Sequence, residues 1–485
     1  MRVPINGTSD FTGDLNGARV LVAGARVTGV SAARVLGELG AAVTVTDSSP
    51  AQLAALGGTE ARLAVELVAP PPGTDLVVTS PGFRPDAPLM VAAHRAGVPV
   101  IGDVTLARWV GRARSGSERV EADWLVVTGT NGKTTTVGML ESILRAAGVD
   151  AVACGNNGLP VLDAVRAGYR VLAVELSSFQ LHWSRELNPR AAVVLNVSAD
   201  HLDWHGCMAR YAAAKGSVYG EDTTAVFNVD DEWSTRLAAG RGGVGFTIGE
   251  PAAGQLGVVG DQLVDRAFGD SASRGCGTVL ASPADARPPG PHNVANALAA
   301  AALARSLGVA AGVTAQAVAQ GLRAFTPGGH RGVPVGTHAG VRYVDDSKAT
   351  NPHAARAALL THHRVVWVAG GLLKGVDVDE LVVDTRDRLV GAVLLGADRA
   401  VIAAALARHA PNLPVQVVDS GDDGAMMEVV KAAAELARPG DVVLLAPAAA
   451  SMDMFADYAQ RGRAFAAAVA ALYSPGSDPS GGWSE

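Results

Sequence analysis

Only five of the 40 basic residues are lysines. Four of them, Lys133, Lys215, Lys348 and Lys374, stand in glycine-rich or acidic motifs, whereas the 35 arginines are scattered. Arginine cannot replace lysine where a compact point charge or a deprotonatable amine is required. A GC-rich genome would produce the same bias, so it directs attention without assigning a role. Lys431, in the helical run Gly424–Ala437, reads as a solvated surface residue.

The strongest local signal is Gly129-Thr130-Asn131-Gly132-Lys133-Thr134, followed by Thr135, between an expected strand and an expected helix. Backbone N–H groups around glycines form an anion nest, and a helix N-terminus adds a favourable dipole. Lys133 would reach the outer phosphates, and the Thr134 hydroxyl could ligate Mg²⁺. The match to the G-x-x-x-x-G-K-[ST] pattern is imperfect, because Val127 takes the first glycine position. An ordinary glycine turn is the plain alternative.

Further on, Glu175 ends an apolar run, and Asn196 and Asp200-His201-Leu202-Asp203 follow another. Carboxylate and imidazole groups at strand ends facing a phosphate loop suit a Mg·ATP site. Lys215, within Tyr211–Tyr219, has no acidic residue four positions away and reads from its neighbours as a solvated helix lysine. The last third offers Asp345–Asn351 (DDSKATN), Gly370–Gly375 (GGLLKG) and Ala446–Ser451 (APAAAS). Three polar or glycine loops at strand carboxyl ends point to one crevice for a small anionic substrate. Near the start, Gly24–Gly29 (GARVTG) and Asp47 make half a dinucleotide fingerprint. Arg26 occupies the glycine position that lets backbone approach a pyrophosphate, which weakens an NAD or FAD assignment. A nucleotide bound differently stays open beside a structural turn. Asp47 would then accept from a ribose or base, with Ser80-Pro81-Gly82 offering backbone donors.

These motifs must be positioned by alternating short β-rich runs and Ala/Leu-rich helical patterns, the signature of α/β domains with largely parallel sheets. Expected strands include Arg19–Ala23, Val43–Thr46, Trp124–Val127, Val171–Leu176, Ala192–Asn196, Val341–Asp345 and Val442–Leu445. Expected helices include Ser31–Leu39, the run after Lys133, and Asn293–Leu307. The polar stretch Gly111–Glu121 reads as a linker, and residues 240–290 as a hairpin-bearing insertion. At 485 residues, about three domains are expected. Their expected bounds are 1–115, 119–326 and 327–475, with a disordered tail at 476–485.

The chain is 48% apolar and 18% charged, with a net charge of −7. That mild acidity argues against nucleic acid or an anionic membrane as a partner. Cys154, Cys207 and Cys276 show no metal or redox spacing and cannot staple a chain of this length. No secretory leader and no apolar run of about 20 residues is evident, so a cytoplasmic protein is expected.

Taken in order, GTNGKTT, GNNGLP, ELSSFQL, ADHLD, YAAAK, PHNVANALAA, His330-Arg331, DDSKATN and APAAASMDMF…QRG resemble the motifs of the Mur ligases from about residue 15 to 472. The resemblance implies a Rossmann-like N-terminal domain for a UDP-sugar, a P-loop-type central ATPase domain, and a Rossmann-like C-terminal domain that closes over ATP and an amino acid. DDSKATN and the terminal motif are similar to the branch that joins D-glutamate to UDP-N-acetylmuramoyl-L-alanine during peptidoglycan precursor synthesis. That branch works through an acyl phosphate and is expected here as a monomer.

The resemblance further implies a metal shell of Thr134, Glu175, His201 and Lys215, the last carboxylated by CO₂ into a carbamate. Asn293, Asn296, Arg331 and Asp346 would join the Gly129–Thr135 loop at ATP. Lys348, Thr350, Lys374, Ser451, Met452 and Tyr458 would line the amino-acid pocket. Val27, Thr28, Asp47, Ser80, Gly82 and Asn156 would hold the UDP-sugar. Lys133, His201, Lys215 and Lys348 are the implied catalytic group. Departures from the family pattern are Arg26, Gly-Val after His330-Arg331, Ala-Ala where Ala-Cys is common, and Tyr458 where Phe is frequent. Folate-extending relatives lack the N-terminal domain, so residues 1–115 count against them. A nucleotide-binding switch would hydrolyse ATP with no amino-acid requirement.

Overall fold

The computed structural model describes residues 14–54, 56, 62–114, 121–185, 187–269, 277–419 and 424–473. Three sheets succeed one another along the chain. The first is fully parallel, in the spatial order Arg62–Val65, Ala42–Asp47, Arg19–Ala23, Leu76–Thr79, Val100–Gly102. Strand order reverses beside Arg19–Ala23, and such a switch point opens a crevice at the strand carboxyl ends. The loops after Arg19–Ala23 and Leu76–Thr79 are those bearing Gly24–Gly29 and Ser80–Gly82.

The second sheet has nine strands, with Asp123–Thr128 between Val171–Glu175 and Ala191–Val194. Ala151–Gly155 forms one edge. Thr224–Asn228, Gly243–Phe246 and Gln255–Val259 extend the other side in parallel. Gln262–Asp265 and Thr278–Ala281 then turn antiparallel. Among the described residues of the insertion expected over 240–290, Gln255–Val259 and Gln262–Asp265 form the hairpin, after a parallel strand at Gly243–Phe246. Helix Lys133–Ala146 buries Val137, Leu140, Ile143 and Leu144, the apolar stripe that its spacing required. Helix Pro291–Arg305 is alanine-rich and buried on nearly every side, which lets it lie closely over the same sheet.

The third sheet runs Val333–His338, Val341–Asp345, Val442–Leu445, Val365–Gly370, Leu389–Leu395, Val415–Val417, parallel except for the first pair. Two compact units emerge. One carries the first two sheets; the other carries the third sheet together with Ser198–Asp203.

Several expected bounds change. The first helix is Val27–Glu38, four residues earlier than expected, with Arg26 in extended backbone as its N-cap. Gly111–Arg114, expected as linker, is the last turn of helix Asp103–Arg114, and residues 115–120 lie outside the described residues. The tail 476–485 also lies outside them. The strand expected to end at Asn196 ends two residues earlier, at Val194, and Asn196 braces the glycine loop. Among the described residues no helix is long and apolar enough to cross a membrane.

Candidate active site

The glycine loop follows Asp123–Thr128, an interior strand of the second sheet held by a parallel neighbour on each side. Gly129 and Gly132 take φ of 151° and 85°, which side-chain-bearing residues rarely adopt. A Cβ on Gly132 would fall 2.3 Å from Asn296 Oδ1, so Asn296 packs directly on the loop. Asn293 accepts from Asn296 Nδ2 at 3.0 Å and donates to Pro288 O at 2.8 Å, which fixes both amides. Asn196 braces the loop from the other side. Its Oδ1 accepts from Asn131 N–H at 2.9 Å and its Nδ2 donates to Asn131 O at 3.2 Å. Lys133 opens the helix and folds back, Nζ donating to the Gly129 and Thr130 carbonyls at 2.9 Å each.

Three further groups meet at this loop. Glu175, 2% exposed at its strand end, accepts from Asn156 Nδ2 at 2.9 Å and from Asn157 Nδ2 at 3.0 Å. Asn157 Nδ2 also donates to Thr134 Oγ1 at 3.1 Å, so a single amide links the two expected ligand oxygens. Gly155 permits this, since a Cβ there would lie 2.1 Å from the Glu175 carbonyl. Lys215 is not the solvated lysine that its neighbours indicated. It is 1% exposed, Nζ donates to Gly129 O at 2.9 Å, and the ammonium lies 4.4 Å above the Tyr211 ring. Tyr211 OH in turn shares a hydrogen bond with Thr130 Oγ1 at 3.1 Å.

Among the described residues no group of three His, Cys, Asp or Glu side chains gathers to hold a metal ion. Mg²⁺ does not need one, because it takes one or two carboxylates and completes its shell with substrate phosphates and water. The Thr134 hydroxyl and Glu175 carboxylate, joined through Asn157, are hard oxygen donors of that kind.

At the first sheet, Asp47 turns both oxygens on backbone, accepting from Ala25 N–H at 2.8 Å and Ser49 N–H at 2.9 Å. It shapes the loop, with lone pairs left for a ligand. Ser80 Oγ is buried with no hydrogen-bond partner among the described residues, and a Cβ on Gly24 would lie 2.4 Å from it. Val27 is exposed at the helix start and Gly82 has open space around it. Asn156 does not stand with this group but on Glu175.

The second unit gathers the three terminal loops. Leu372 and Ala450 exchange backbone bonds at 2.8 and 2.9 Å, and Ala448 N–H donates to Ala349 O at 3.0 Å. Lys348 Nζ lies 3.7 Å above the Tyr458 ring, and its N–H donates to His330 O at 3.1 Å. Tyr458 starts the final helix because Asp457 caps it, accepting from Gln460 N–H at 2.7 Å. Ser451 is buried, whereas Met452 is 70% exposed. Lys374, at φ 56°, lies 3.4 Å from Asp200 Oδ1, and His201 Nε2 lies 3.4 Å from Asp200 Oδ2.

Desolvation pushes the partly buried Asp346 carboxyl up to about 7; the Arg331 guanidinium opposes the shift and the Asp345 carboxylate adds to it. Between the ordinary value of 3.8 and about 7 the folded chain binds a proton that the unfolded chain has lost. Stability contributed by this group therefore falls as pH rises through that window. Asp346→Asn should melt less steeply with rising pH than the parent between pH 4 and 7. Parallel slopes in thermal melts at several pH values would count against it.

Asn157, Tyr211, Asp345 and Arg461 lie inside the motifs GNNGLP, YAAAK, DDSKATN and QRG, but the sequence assigned none of them a role of its own. The signal for Asn157 was the doubled asparagine of GNNG. Asp345 accepts from His330 Nδ1 at 2.6 Å and from Ser347 N–H at 2.9 Å, holding the DDSK loop. Burial pulls Arg461 down to about 10, against the attraction of Asp453 and Asp345, and leaves it charged at neutral pH.

Residues 127–304 match the Mur ligase middle domain and residues 330–449 the Mur ligase glutamate ligase domain. The UDP-N-acetylmuramoylalanine–D-glutamate ligase of Streptomyces coelicolor is 53% identical over 476 residues, spanning 95% of this chain and 99% of the relative. The chain belongs to the Mur ligase family. The Mur ligase of the same description from Thermobifida fusca is 55% identical, with 95% and 99% covered. Residues 5–93 also match the alanine dehydrogenase/PNT C-terminal domain, in keeping with the parallel first sheet of this Mur ligase. Among solved structures, UDP-N-acetylmuramate–alanine ligase from Thermotoga maritima superposes with a TM-score of 0.56 at 19% identity. That match covers 93% of this chain and 99% of the other, and it shows a shared fold.

Proposed function

We propose that this Mur ligase joins D-glutamate to the alanine carboxylate of UDP-N-acetylmuramoyl-L-alanine at the expense of ATP, in the cytoplasm. The observation that carries the proposal is identity above one half along nearly the whole chain to relatives of that description. The glycine loop with Lys133, Thr134, Glu175 and Lys215 around it supports the same reading.

A carboxylate is a poor electrophile. Transfer of the γ-phosphoryl group to its oxygen releases ADP and makes the carbonyl carbon reactive. The neutral amine of D-glutamate then attacks that carbon, the carbon–oxygen bond to phosphate breaks, and the amine proton departs. Lys133 would neutralise charge on the transferring phosphoryl group, and the loop N–H groups would hold the phosphates in line. Thr134, Glu175, His201 and a carbamate on Lys215 would hold magnesium, which would screen phosphate charge. Asn293, Asn296, Arg331 and Asp346 would position ATP. Lys348, Thr350, Lys374, Ser451, Met452 and Tyr458 would receive D-glutamate. Ser80, with its buried unpartnered hydroxyl, would join Val27, Thr28, Asp47 and Gly82 at the UDP-sugar. Asn156 would act at the sugar only by turning from Glu175.

Phosphate release is expected only with ATP, Mg²⁺, UDP-N-acetylmuramoyl-L-alanine and D-glutamate together. A panel of D- and L-amino acids tests this directly. Equal turnover with L-alanine, or with no amino acid, would sink the assignment.

A further inference from the structure

Arg461 is buried to 1% exposure on the helix Tyr458–Leu472, yet its guanidinium bonds leave that helix for other segments. Nε donates to Ser347 Oγ at 2.9 Å and Nη2 to Ser347 O at 2.9 Å. Nη1 donates to Ala449 O at 3.1 Å and, at 3.4 Å, to Gly370 O. These acceptors lie one on each of the three loops that carry Lys348, Ser451 and Lys374. Ser347 Oγ passes the connection on, donating to Tyr458 O at 2.8 Å. The neighbouring residue makes the approach possible. A Cβ on Gly462 would lie 2.1 Å from His330 Nδ1 and 2.6 Å from Asp345 Oδ2, so only glycine lets the helix come this close.

We propose that Arg461 is a positioning residue for the amino-acid site, a planar fork that sets the spacing of the Lys348, Lys374 and Ser451 loops. Burying a guanidinium is expensive, and a buried arginine is justified only when its donors are all satisfied in a fixed geometry. Lysine would present a single point of charge and could not span carbonyls on three loops. Because the loops are tied to one group, displacement of any one is felt by the other two. The consequence belongs to D-glutamate affinity and not to the UDP-sugar, whose expected residues lie at or after the ends of strands of the first and second sheets. The inference rests on the D-glutamate reading for its kinetic form, though the three-loop tie is independent of it.

The test compares full-length parent, Arg461→Lys, Ser347→Ala and Arg461→Ala in steady-state kinetics. Arg461→Lys should raise KM for D-glutamate about tenfold or more, and Ser347→Ala about threefold, with KM for UDP-N-acetylmuramoyl-L-alanine within about twofold of the parent. Added guanidinium at millimolar concentration should lower the D-glutamate KM of Arg461→Ala, and ammonium should not. A purely architectural role predicts instead a lower kcat in proportion to folded protein, with every KM unchanged, and that result overturns the proposal. If Arg461→Ala does not fold, the Arg461→Lys and Ser347→Ala values decide. A parent enzyme without D-glutamate dependence defeats the functional reading alone. The tie is then judged by amide hydrogen exchange at Ser347–Lys348, Gly370–Lys374 and Ala449–Ser451. Faster exchange at all three loops in Arg461→Lys supports it, and exchange unchanged from the parent refutes it.

Discussion

Replacing Lys133 with alanine should lower ADP formation by about a thousandfold while leaving the fold in place. The reason lies in what the side chain does and does not support. Its Nζ spans the Gly129 and Thr130 carbonyls, but the loop has other bracing. Asn196 holds Asn131 on one side and Asn296 packs against Gly132 on the other. Loss of two partly exposed hydrogen bonds therefore costs about 1–3 kcal/mol of stability at most. The catalytic loss is larger, because the ammonium is the fixed positive charge at the mouth of the loop. Charge developing on a transferring phosphoryl group must be met without reorganisation. Lys133→Arg should rescue little, since the longer planar fork cannot seat against both carbonyls and leave a compact charge toward the phosphates. Thermal melting and ADP release, measured on the same preparations, separate the two effects. Turnover within about tenfold of the parent in Lys133→Ala would remove the phosphate role from this residue.

That loop was legible in the residues because its determinants are local: two glycines at positive φ, a lysine at a helix start, and an apolar strand before it. The three terminal loops were legible for the same reason, each following a short apolar run. Strand Ala151–Gly155 was not, since five small residues carry no alternation to distinguish them from a helix start. Nor was Val333–His338, an edge strand that contains Pro334 and is largely open to solvent. Gly111–Arg114 looked like linker by composition, yet Arg108 and Arg112 both pair with Glu121 across the helix end. Composition reports polarity, whereas the pairing depends on where the chain returns. Arg461 hid for a related reason. Its partners lie on three loops that are separated widely in the chain, and only the parallel third sheet brings those loops to the same edge.

Lys215 is the strongest case of this kind, and it carries the second large prediction. Its local neighbours describe a surface helix, but the fold carries the helix against the glycine loop and buries the amine beneath it. Full burial of an ammonium is costly, so a group at this position gains from chemistry that changes its charge. A neutral amine adds CO₂ to give a carbamate and a proton. The carbamate nitrogen keeps one N–H able to donate to Gly129 O, while its oxygens become anionic acceptors of the type magnesium prefers. Arginine has no access to this reaction, because its guanidinium stays protonated. Lys215→Ala should therefore lose activity by at least about a hundredfold. A short carboxylate, formate or acetate, should restore part of the loss by supplying the missing oxygens in the space vacated. Lys215→Arg should be inactive and resistant to that rescue, since the pocket stays filled and cationic. Carbon-13 spectroscopy of the parent enzyme under labelled CO₂ gives a readout that does not depend on turnover. Full activity in Lys215→Ala would refute the carbamate role. Rescue by chloride as strong as that by formate would leave only a charge effect and would exclude a ligand role for the added oxygens.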